Sequence, residues 1–154
     1  MKQSFYDLNH SDLEMVLSQN DLNLSAAAIL FNWHYKKKEN AQCYEKIAKS
    51  SLAFLQNNFD FSLPEIDTVH ESEDQTVKFL FKLQDNHTVE TVLIPFHNKY
   101  SLCLSSQVGC AMNCSFCSTG KQGLTRNLAT SEIVGQFLQA WRWLATTGLE
   151  KREF

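Results

Sequence analysis

Three thiols lie within eight residues of this chain: Cys110, Cys114 and Cys117. They stand in the run C-L-S-S-Q-V-G-C-A-M-N-C-S-F-C-S-T-G-K-Q-G-L-T-R-N, from Cys103 to Asn127, and their spacing is C-x3-C-x2-C. A closed zinc site or an ordinary ferredoxin-type cluster takes four protein ligands, and no fourth follows closely here. Three thiolates can hold three corners of a [4Fe–4S] cluster and leave one iron open. An open iron can take a small molecule, as an open metal position does in a catalytic site. Two plainer readings use the same residues. One is a zinc site completed by a distant His or Cys. The other is a set of small buried apolar side chains, since free cysteine is among the most buried residue types.

The spacing resembles the signature of the radical S-adenosylmethionine enzymes. The flanks narrow the resemblance: S-S-Q-V-G-C leading into the three cysteines and Q-G-L-T-R-N-L after them are similar to the RlmN branch of the RlmN/Cfr family. The sister Cfr branch has a cysteine where Val108 stands and lacks the Gln122–Gly123 pair, so a Cfr-like adenine C8 methyltransferase is the more distant alternative. The resemblance implies a radical SAM methyltransferase acting on adenine C2 of 23S rRNA and tRNA. It implies two cofactors, a [4Fe–4S] cluster held by Cys110, Cys114 and Cys117 and S-adenosyl-L-methionine on the open iron. Phe116 falls where these enzymes carry an aromatic that packs by the adenine of S-adenosyl-L-methionine. An external reductant such as flavodoxin is implied as a partner.

Two further residues take roles from the resemblance. Cys103 falls where the family places the second catalytic cysteine, the one that resolves a protein–RNA adduct. Its plainer reading is a strand cysteine packed in a barrel. Glu90, in V-E-T-V-L-I-P, matches the family's proton acceptor, and a carboxylate is a useful base where desolvation raises its pKa. Its plainer reading is a solvent-facing residue on an edge strand. Alternation sets Glu90 on one face with Val92 and Ile94, which predicts a face at least partly buried. Cys43 matches no motif position and reads as helix packing. Gly120 and Phe96 depart from the family pattern, where Ala and an acidic residue are common.

These residues need elements to hold them. The N-terminal part reads as short helices: Ser11 to Gln19 capped by Ser11, a second capped by Asn23 or Ser25, a third over Ala41–Lys49 and a fourth over Ser51–Asn58. Trp33 and Tyr35 read as packing and His34 as a surface residue. Phe61–Asp74 reads as a linker. The period then changes to two: Val77, Phe79, Phe81 and Leu83 alternate along a strand, Gln84–His87 turn, and Val89–Ile94 return. Tyr100–Ser105 is a further strand that leads into the cysteine loop. Thr130 caps an amphipathic helix with Ile133, Val134, Phe137, Leu138 and Trp141 on one face. Strand, ligand loop and helix make the first unit of a β/α barrel, whose sites sit at the C-terminal ends of strands.

The expected fold class is therefore α+β. Residues 1–60 form a helical domain, similar in the family to a helix-hairpin-helix module. Residues 61–98 form linker and hairpin, and 99–154 the start of a radical SAM core. A full barrel needs about 200 residues or more. The resemblance so covers nearly all of this chain but less than half of a whole enzyme, and the chain is expected to be an N-terminal part, inactive alone. The competing class is a non-catalytic remnant that binds a cluster or RNA.

Composition sets the outer bounds. The 154 residues suit an ordinary domain. No apolar run approaches a membrane span, there is no signal-peptide core, and five cysteines, three of them clustered, suit a reducing, cytoplasmic setting. The first 74 residues carry a net charge of −6 and the remainder +3. That balance gives RNA binding no support, because phosphate neutralisation dominates such affinity. The expectation of RNA rests on the resemblance.

Overall fold

The computed structural model describes residues 2–37, 42–97 and 99–147; the side chains of residues 37, 42 and 43 lie outside that description. The chain forms two compact units, Met1–Ser62 and Leu63–Phe154, and helix and sheet are mixed, as expected.

The first unit is built on helices α1 (His10–Gln19), α2 (Ser25–Phe31) and α3 (Lys49–Asn58), with a 3-10 turn at Gln42–Lys46. α1 starts two residues earlier than a Ser11 cap would allow. Asn9 is the cap: its side chain accepts from the Asp12 N–H at 2.9 Å, and the Asp12 carboxylate accepts from the Asn9 N–H at 3.2 Å. That reciprocal pair satisfies two end donors at once, which a lone Ser11 would not. Asn23 takes the Ser25 N–H ahead of α2. Two short parallel strands, β1 (Gln3–Ser4) and β2 (Phe59–Asp60), join the unit's ends. His34 is buried, not on the surface, and it hydrogen-bonds the Tyr6 hydroxyl at 3.0 Å among the rings of Phe5, Tyr6 and Phe61. α2 runs on into a π-helical stretch at Asn32–Lys37, and His34 follows the buried Leu30 by four residues and the buried Ala27 by seven, the spacing of one helix face. Trp33 is half-buried with the Lys46 ammonium over its ring. The Cys43 side chain, read as helix packing, lies outside the described residues.

The second unit carries a four-stranded antiparallel meander, β3 (Glu65–Glu71), β4 (Val77–Lys82), β5 (Thr88–Phe96) and β6 (Lys99–Cys103). β3 lies inside the stretch read as a linker. Its acidic residues hide the strand, and only Ile66 and Val69 turn to the core. β4 behaves as its alternation predicts: Val77, Phe79 and Phe81 are fully buried, with Leu83 close behind. β5 runs past Pro95 to Phe96, two residues beyond the expected end. After β6 come a two-stranded ribbon, β7 (Gln107–Gly109) with β8 (Leu124–Asn127), and a short helix α4 (Ser118–Lys121) inside it. Helix α5 (Thr130–Thr147) closes the unit.

α5 covers one face of the meander. Ala140 and Leu144, with Ile133 and Trp143, pack on Val77, Phe79, Phe81, Val89, Leu93 and Tyr100. The fully buried positions of α5 include Gly135, Gln136, Leu138, Ala140 and Leu144. The expected stripe of Val134, Phe137 and Trp141 is only half-buried. The polar Gln136 masked the true stripe.

Candidate active site: an open sheet face and a three-cysteine loop

The last ladder pair between β5 and β6 sets Val92 opposite Cys103. Glu90 lies two residues before Val92 and so shares its face. Cross-strand diagonal neighbours of this kind stand about 7–8 Å apart. The register thus brings Glu90 and Cys103 together on one face. That face is the one α5 leaves uncovered. Cys103 is exposed, Ile94 is 41% exposed, and the Glu90 side chain is 54% exposed and paired to Lys78 at 3.0 Å. The expectation of a partly buried face holds only at Val92; the core lies on the opposite face, with Val89, Thr91 and Leu93.

The cysteine loop leaves the ribbon at Gly109. The Cys110 N–H donates to the Gly123 carbonyl at 3.0 Å, which closes the loop's base. Gly109 has φ +74°, and a Cβ there would overlap the Gly123 carbonyl oxygen. Both features call for glycine. Within the loop the Cys117 N–H donates to the Cys114 carbonyl at 3.1 Å, folding the two cysteines into one turn. Two backbone donors point at sulfur: the Met112 N–H at Cys110 Sγ, 3.5 Å, and the Gly120 N–H at Cys117 Sγ, 3.4 Å. All three cysteines are half-buried. Phe116 stands out at 89% exposed.

The donor set fits an iron–sulfur cluster: three thiols on one loop, with N–H donors placed where ligand sulfurs are usually supported. Among the described residues no group of three His, Cys, Asp or Glu side chains is gathered for a single metal ion. Ligands of a four-iron cluster stand further apart than those of one ion, so the two observations are compatible.

Arg126, in β8, ties this loop to the meander. Its guanidinium donates to both oxygens of Glu132, at 2.7 and 2.8 Å, and its Nε donates to Asp85 at 2.8 Å in the hairpin turn. Burial pushes the Asp85 carboxyl up, and hydrogen bonds from Arg126 and His87 outweigh it, leaving it at about 2. The Arg126 hydrogen bond holds Glu132 below the usual carboxylate range, against a smaller opposing effect of burial. Depressed carboxyl pKa values give stability that is present above about pH 4, the unfolded value, and is lost as pH falls toward about 2. Arg126→Gln is therefore expected to lower the melting temperature at pH 7, with the difference from the parent narrowing between pH 4 and pH 2. A constant difference across that range in thermal melts would remove the ion cluster as its cause.

No protein-family model matches the chain. The dual-specificity RNA methyltransferase RlmN of Bdellovibrio bacteriovorus is 38% identical over 143 residues, covering 92% of this chain and 36% of that protein. The chain is a relative of the RlmN methyltransferases. RlmN of Paracoccus denitrificans is 48% identical over 108 residues, 70% of this chain and 27% of its own length. The crystal structure of a radical SAM methyltransferase from Sphaerobacter thermophilus superposes with a TM-score of 0.84 at 32% identity, over 95% of this chain and 43% of the other. The chain thus spans well under half the length of the RlmN relatives it matches. Among the described residues no helix is long and apolar enough to cross a membrane.

Sequence reasoning named Glu90, Cys103, Phe116 and the three cluster cysteines, and the structure sets them on one sheet face and one loop. It missed Gly109, Arg126 and Gln136. The first carries a sequence signal, a glycine immediately before a ligand cysteine. The other two read as ordinary polar residues.

Proposed function

We propose that this chain is the cluster-bearing part of an RlmN-type radical SAM methyltransferase acting on adenine C2 of 23S rRNA and tRNA. The observation that carries the reading is the register that puts Glu90 beside Cys103 on an open face, at the strand end from which the three-cysteine loop departs. In this reading Cys110, Cys114 and Cys117 hold a [4Fe–4S] cluster, and Phe116 packs on the adenine of S-adenosyl-L-methionine. The cluster, once bound and reduced by an external donor such as flavodoxin, supplies the electron for radical formation from S-adenosyl-L-methionine. A reducing, cytoplasmic setting keeps the thiols available.

The chain's own groups act on the RNA adduct. A methyl-bearing cysteine outside the motif positions matched here would lose one hydrogen atom from its methyl group to the radical and add through that carbon to C2, and the unpaired electron left on the adduct would pass back to the bound cluster. Glu90 accepts the proton from C2. The Cys103 thiolate attacks the sulfur of the adduct; an S–S bond forms, the C–S bond breaks, and its electron pair stays with carbon, which takes a proton and leaves as methyl. Both residues lie where a base can approach from solvent, since the face is open.

Anaerobic reconstitution with iron and sulfide is expected to load about four irons per chain, with thiolate-to-iron charge-transfer absorption. Cys114→Ala should lose that cluster. If Cys114→Ala binds as much iron as the parent, the ligand assignment is wrong.

A further inference from the structure

The β5–β6 ladder stops at Val92 and Cys103, yet the backbone beyond it is not left to water. At the next position a side chain takes over. Gln136 of α5 is fully buried. Its Oε1 accepts from the Ser105 N–H at 2.9 Å, and its Nε2 donates to the Ser105 carbonyl at 3.0 Å. One amide thus presents a donor and an acceptor to the same residue, as a neighbouring strand would. The same Oε1 accepts from the Thr91 hydroxyl at 2.6 Å, and the Nε2 also donates to the Glu132 carbonyl at 3.1 Å. The Ser105 hydroxyl in turn donates to the Glu90 carbonyl at 2.6 Å. Every partner of Gln136 within the sheet is therefore next to Glu90 or two residues from Cys103.

We infer that Gln136 is a positioning residue: its amide stands in for the missing ladder rung and sets the separation of Glu90 and Cys103. The physical reason is the cost of leaving buried polar groups unmet. Without the amide, the buried Thr91 hydroxyl and the half-buried Ser105 N–H and carbonyl lose partners, and the segment after Cys103 must move to regain them. A buried glutamine on a helix face that otherwise packs apolar side chains is hard to explain by packing alone, because a leucine would fill the space without needing four hydrogen bonds. The inference rests on the proposed pairing of Glu90 with Cys103, and its test separates the two.

Glu90→Cys gives a second thiol on the same face as Cys103. A bifunctional thiol reagent, dibromobimane, bridges two nearby thiols, and peptide mass mapping locates the bridge between positions 90 and 103. The bridge is expected to form readily in the Glu90→Cys chain. With Gln136→Ala added it should form about tenfold more slowly. Thr91→Val, which removes one bond and keeps the amide, should slow it less. Leu138→Ala, in the same helix and equally buried, lowers stability without touching the network and should leave the rate unchanged. No bridge in the Glu90→Cys chain would overturn the pairing of the two residues and the site reading with it. An unchanged rate with Gln136→Ala, or equal slowing by Leu138→Ala, would overturn the positioning role alone.

Discussion

With the remaining part of an RlmN relative supplied alongside it, the Cys103→Ala chain is expected to trap substrate RNA as a covalent protein–RNA adduct. Release of free methylated RNA should fall on the order of a thousandfold or more, the scale seen when a reacting side chain is removed. The proposed chemistry needs two cysteines. Cys110, Cys114 and Cys117 are occupied as ligands in that scheme, Cys43 matches no motif position, and Cys103 takes the resolving role that the family resemblance implies. Its exposure on the same face as Glu90 is what lets it reach an adduct at all. The 154 residues by themselves are expected to transfer no methyl group from labelled S-adenosyl-L-methionine to a ribosomal RNA fragment under strong reductant. Their length is well under half that of the relatives, and one resolving cysteine is not a pair. Turnover by the chain alone would sink that expectation. Free methylated RNA released by the complemented Cys103→Ala chain at the parent's rate would show that Cys103 has another role.

The second large effect concerns the base of the cysteine loop. Gly109→Ala is expected to cut the iron held after anaerobic reconstitution from about four per chain to below about one. A left-handed backbone costs an alanine about 1–2 kcal/mol before any collision is counted. Here the new methyl group also overlaps the Gly123 carbonyl, so the Cys110 N–H must give up that acceptor and Cys110 must shift. Gly123 supplies the control. Its φ is also positive, +72°, but a Cβ there meets nothing within 4 Å. Gly123→Ala therefore carries only the backbone cost and should retain most of its iron. Meander stability should fall by no more than several degrees in either variant, because the core under α5 is untouched. Full iron loading by Gly109→Ala, or equal loss by both variants, would show that crowding at the Gly109–Gly123 crossing does not govern the loop.

Much of this site is legible in the residues alone. The spacing of Cys110, Cys114 and Cys117 is local, and a turn of eight residues carries it whatever surrounds it. The strand β4 is equally plain, because its alternation is uninterrupted and one of its faces is wholly apolar. Other features depend on partners distant in sequence. β3 reads as an acidic linker until β4 supplies hydrogen bonds along its length. His34 reads as polar surface until the rings of Phe5, Tyr6 and Phe61 are found around it. Gln136 reads as the polar edge of an amphipathic helix until Thr91 and Ser105 are found against it. The choice of face on β5 shows the limit most clearly. A period of two separates Val89, Thr91 and Leu93 from Glu90, Val92 and Ile94, and both sets contain aliphatic side chains. The sequence by itself determined that there were two faces and that Glu90 belonged with Val92. Only the tertiary structure decided which face is core, because that depends on where α5 lies: it buries Val89 and Leu93 and leaves Glu90 and Cys103 open on the other side.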